Sequence, residues 1–153
     1  MASGFWYLED GRGFCRRWSW MNYMLKLIND EIKLLDGAED FYNYLIKLVM
    51  TDEDEYNGFG GFFREGIEGS IMFVFDLREF TPENRAYFWK ATQMALAKLI
   101  KNDSEKEEII FLIKILLKMH KAIKRRENPE LLNHLIITQP YSGERKGPGW
   151  ESY

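Results

Sequence analysis

Cysteine is nearly missing from this 153-residue chain: Cys15 stands alone, so no disulfide can form within it. That suits a reducing compartment, and the expected location is cytoplasmic. Histidine is almost as scarce, with His120 and His134 only. Neither belongs to an H-x-x-x-H or C-x-x-C spacing, so no metal site and no cofactor is expected. No apolar run approaches the ~20 residues that cross a bilayer. The opening Met1-Ala2-Ser3-Gly4 has neither the basic nor the apolar region of a signal peptide. The expectation is a chain without membrane association.

An excess of positive charge is lacking too. Lys and Arg total 21 against 24 Asp and Glu, a formal charge of −3, which removes any general electrostatic reason to bind nucleic acid. The cluster Lys118, Lys121, Lys124, Arg125 and Arg126 is explained by the negative end of a helix dipole and by solvation. Gly58-Phe59-Gly60-Gly61 lacks the Gly-Lys-Ser/Thr ending of a phosphate loop and follows an acidic run. A nucleophile elbow is missing as well. The chain therefore reads as non-enzymatic.

Aromatic residues, by contrast, are plentiful: 16% of the chain, within 46% apolar residues overall. This is ample for one core and argues against disorder. A single α+β domain over 1–138 and an irregular tail over 139–153 are expected, because Pro140, Gly143, Gly147, Pro148 and Gly149 crowd the end. The organising stretch is Ile71–Ile100. Ile71-Met72-Phe73-Val74-Phe75-Asp76-Leu77 is the densest β-branched and aromatic run. After it, Thr81 can cap a helix, Pro82 suits its first position and Glu83 favours its positive end.

Earlier in the chain, Asp10-Gly11 between aromatic-rich runs predicts a hairpin, with strands near 4–8 and 12–17. Met21, Met24, Leu25, Ile28, Ile32 and Leu35 keep helical spacing from Ser19 to about Asp36, and Gly37 stands where a C-terminal cap belongs. A second helix follows over about 39–50. After the stripe of Phe88, Trp89, Thr92, Leu96 and Leu99, Ser104 and Glu107 form a capping box for a helix to about Arg126. A short helix over 128–135 completes the expectation: a small antiparallel sheet, made of the N-terminal hairpin and strand 71–77, packed against about five helices.

The irregular segment 51–69 carries the candidate site. Asp52, Glu53, Asp54 and Glu55 are followed by Tyr56, Phe59 and Phe62, with one short strand expected near Phe62–Arg64. Adjacent carboxylates steer a basic partner and aromatics anchor it, although runs of charge are commonly just solvated loops. Cys15 and His120 read most simply as core or boundary residues.

Two stretches, Trp6-Tyr7-Leu8-Glu9-Asp10-Gly11-Arg12-Gly13-Phe14 with Arg17-Trp18, and Asp76-Leu77-Arg78-Glu79-Phe80-Thr81-Pro82-Glu83-Asn84 before Phe88-Trp89, resemble small bacterial immunity proteins of contact-dependent and polymorphic toxin systems. They span under a fifth of the chain. The resemblance implies a non-enzymatic cytosolic inhibitor that binds and occludes a cognate protein toxin. A basic nuclease domain is the partner that would suit the acidic run, since nuclease sites are basic to hold phosphate. Two alternatives remain open. One is a homo-oligomeric structural or regulatory protein that uses the apolar helix face Ile109–Ile123. The other is an enzyme in which carboxylates, Arg12 or His120 converge on a cleft.

Overall fold

The computed structural model describes residues 3–10, 13–49, 63–65, 71–102 and 106–125. The capping-box residue Ser104, the site residues Asp52, Glu53, Asp54, Glu55, Tyr56, Phe59 and Phe62, Arg12, the expected helix over 128–135 and the tail over 139–153 lie outside the described residues.

Four strands and four α-helices are described. Strands β1 (Ser3–Tyr7) and β2 (Gly13–Arg17) lead into helices α1 (Trp18–Ile32) and α2 (Glu39–Ile46). Strands β3 (Phe63–Glu65) and β4 (Ile71–Asp76) come next, then a 3-10 turn at Leu77–Glu79. Helices α3 (Pro82–Lys101) and α4 (Glu107–Lys124) complete the order.

The sheet order is β2-β1-β4-β3. Two pairs, β1–β2 and β3–β4, are antiparallel, but the central pair β1–β4 is parallel, with Trp6 opposite Phe75 and Tyr7 opposite Asp76. This corrects the expected antiparallel sheet under about five helices. The described chain is mainly helical, its helices number four, and its central ladder is parallel. The reason is physical. A tight turn announces only the antiparallel partner next in sequence, whereas parallel neighbours need a long crossover. Here β2, α1, α2 and β3 lie between β1 and β4, and β3, antiparallel to β4, runs back to the end of the sheet from which β1 set out.

The core lies where α1 and α3 meet the sheet. Trp6 and Phe75 face each other across the parallel ladder with ring centroids 5.2 Å apart, and Phe88 of α3 stands 5.8 and 5.5 Å from them. Phe80 extends this aromatic group to Phe41 of α2, at 5.4 Å from Phe75 and 5.2 Å from Phe41. From α1 the stripe Met21, Met24, Leu25, Ile28 and Ile32 is fully buried. Each such side chain contributes about 1.5–3 kcal/mol by leaving water.

Local signals fix the ends of the elements. Thr81 Oγ1 accepts a hydrogen bond from the Asn84 amide at 3.2 Å, with Pro82 in the first turn of α3. Just before it, Asp76 accepts from the Arg78 amide and takes a two-point contact from its guanidinium, at 3.0 and 2.8 Å. Gly37 has φ +80°, and a side-chain carbon there would lie 2.9 Å from the Tyr87 hydroxyl, so glycine meets two demands at once. Helix α4 begins with Lys106 at its cap position and has no side-chain cap.

The apolar face that an oligomer would use is not on the surface. Ile109, Leu112, Ile113, Leu116, Leu117, Met119 and Ala122 of α4 are buried in the monomer's own core.

Candidate functional site

Two concave sites of opposite charge flank α3. Their difference follows from helical spacing. Pro82, Arg85, Ala86, Trp89, Lys90 and Gln93 recur every three to four residues and line one side, while Thr81 and Asn84 look toward α2.

The first site is a cleft of about 500 Å³ between α3, α4 and the end of β1. Its floor is built on Glu9, in the turn after β1. Trp89 Nε1 donates to Glu9 Oε1 at 2.5 Å, and His120 Nδ1 lies 3.4 Å from the same oxygen. The indole and imidazole stack face to face, with centroids 4.0 Å apart and an interplanar angle of 15°. One carboxylate thus ties a turn in the sheet to one residue on each of two helices.

Burial raises the Glu9 pKa, but the close His120 imidazole and the hydrogen bonds from Trp89 and its own backbone outweigh it, so the net shift is downward. Glu9 is therefore an anion at neutral pH, although its side chain is only 18% exposed. Its second oxygen, Oε2, is buried without a hydrogen-bond partner, as is His120 Nδ1. Around this floor stand Arg85, Lys90 and Lys124.

The second site is a groove of about 360 Å³ where α2 meets the start of α3. Asp40, Tyr44, Glu79, Phe80, Thr81 and Asn84 line it together with Phe41. Tyr44 is 46% exposed and packs edge-on against Phe80 at 5.7 Å. Beside the groove, Glu83 Oε1 accepts from the Tyr87 hydroxyl at 3.4 Å. Desolvation, then the charges of Glu83, Glu39 and Asp36, push the Tyr87 phenol above its ordinary range. Those carboxylates, with Asp40 and Glu79, make this end of the molecule acidic.

The sequence-derived site over 52–62 lies outside the described residues. His120 fits the boundary position expected of it, being 21% exposed on a largely buried helix face. What its spacing did not reveal is its pairing with Glu9 and Trp89. Glu9 read only as part of a hairpin turn; its partners are distant in sequence, and no local pattern announces them. Among the described residues no group of three or more His, Cys, Asp or Glu side chains converges as a metal site would require. No helix among them is long and apolar enough to cross a membrane.

Comparison with protein-family models gives no match, and neither does comparison with curated proteins or with solved structures.

Proposed function

We propose that this protein is a non-enzymatic binding protein of the immunity type, which neutralises a cognate toxin by covering it. The observation that supports this reading is the acidic, aromatic-lined groove at the start of α3. There Asp40 and Glu79 flank the exposed ring of Tyr44, with Asp36, Glu39 and Glu83 close by. Carboxylates around an exposed aromatic attract a basic surface and then anchor it, the combination that gives a fast and specific interface. A basic nuclease domain is the partner that this chemistry suits best, since its active site holds phosphate with Lys and Arg. The carboxylates at 52–55 would add to the same attraction.

The test uses the full chain as bait in its native host. Retention of a stoichiometric basic protein that kills cells when expressed alone supports the proposal. D40K/E79K should then lower the association rate by about one to three orders of magnitude and steepen nothing in its salt dependence. Retention of this chain alone, or undiminished binding by both that variant and a charge-reversed 52–55 variant, would overturn it.

A further inference from the structure

We propose that the cleft floored by Glu9, Trp89 and His120 binds a small phosphate monoester, with the phosphate held among Arg85, Lys90 and Lys124. This is independent of the toxin-binding reading, which rests on the acidic groove instead.

Charge is the first argument. Three cationic side chains line the cleft against one carboxylate. That carboxylate is already turned to Trp89 and His120, so it does not pair with the cations. Neither Lys90 nor Lys124 has an ion-pair partner among the described residues. Like charges gathered around a concavity repel one another, and an anion of about −1.5 to −2, such as a phosphate monoester, relieves that repulsion.

Geometry is the second. Arg85 Nε donates to the Phe80 carbonyl at 3.1 Å, which fixes the plane of the guanidinium. Its terminal nitrogens have no other partner among the described residues, and a planar fork held in this way suits two-point contact with phosphate oxygens. Lys90 and Lys124 supply the same charge without fixed direction, from α3 and α4 respectively. The volume, about 500 Å³, admits a phosphorylated sugar or a nucleoside monophosphate rather than the bare ion alone. The floor is preorganised because the Trp89–His120 stack is clamped by Glu9, so little ordering is required on binding.

The test is a heteronuclear NMR titration of the full chain with ribose 5-phosphate, inorganic phosphate and ribose. The Trp89 indole N–H, assigned through Trp89→Phe, is the reporter at the floor. Saturable shifts with ribose 5-phosphate, weaker ones with inorganic phosphate and none with ribose are expected. Arg85→Ala should weaken binding about tenfold, the worth of one charge-assisted hydrogen bond. Far-UV circular dichroism checks that this variant of a half-buried residue and R85A/K90A/K124A remain folded. The proposal is overturned if neither phosphate probe saturates, if ribose binds as well as its phosphate, or if the folded triple variant binds unchanged.

Discussion

Glu9 ties its turn to two helices, because Trp89 donates to its carboxylate and His120 lies beside the same oxygen. Its folded-state pKa is depressed, so its contribution is complete above the ordinary carboxylate range near 4.3 and is lost as pH falls through the lower folded value. Glu9→Gln should therefore cost about 1.5–3 kcal/mol at pH 7, the range for a hydrogen bond to a charged group. The two proteins should converge in stability as the solution is acidified below that range. Urea unfolding at pH 7 and at pH 3 checks this, and an equal gap at both would show that the charge is irrelevant. The same residue marks a limit of sequence reading. Glu9-Asp10-Gly11 says turn, and says it locally; that the first of these side chains reaches α3 and α4 depends on how the helices are stacked.

At the scale of the element, α3 was the most legible part of the chain. Thr81-Pro82-Glu83 announces its start, and the structure places Thr81 at the cap and Pro82 in the first turn. Thr81→Ala should lower stability by about 1 kcal/mol, measurable as a shift in the urea midpoint without change in slope. A change in slope would mean that the cap also shapes the unfolded ensemble. Helix α1 was equally readable from its apolar period, and its described bounds end four residues before Asp36 because the chain turns there toward the positive φ of Gly37. The start of α4 was less legible. Ser104 and Glu107 have the spacing of a capping box, yet the helix begins at Glu107 after an uncapped Lys106. Charge along α3 was hidden as well, since one stripe faces the basic cleft and another the acidic groove, and a linear reading averages them.

For the molecule as a whole, the aromatic group around Trp6, Phe75 and Phe88 joins the parallel ladder to α3. Phe88 is completely buried, and Phe88→Ala should cost about 3–5 kcal/mol through lost burial and the cavity left behind. Thermal unfolding followed by near-UV circular dichroism should show a midpoint lowered by roughly 6–20 °C for a chain of this length. A shift within a degree or two would mean that the neighbouring rings close over the gap. The abundance of aromatics predicted such a core, but not the pairing at its centre. Which strand lies beside β1 is decided by the path of α1 and α2, and no residue in β1 or β4 records that path.

The parallel ladder also has a consequence during synthesis. Residues 3–7 leave the ribosome about 65 residues before their partner strand at 71–76 does. At usual elongation rates that is a wait on the order of several seconds. Throughout it, the inner edge of β1 has backbone donors and acceptors with no strand to meet them, an invitation to any extended chain nearby. The nascent protein is thus most exposed to misassembly between the emergence of α1 and that of β4, and an early stall in translation should be more harmful to its yield than a late one.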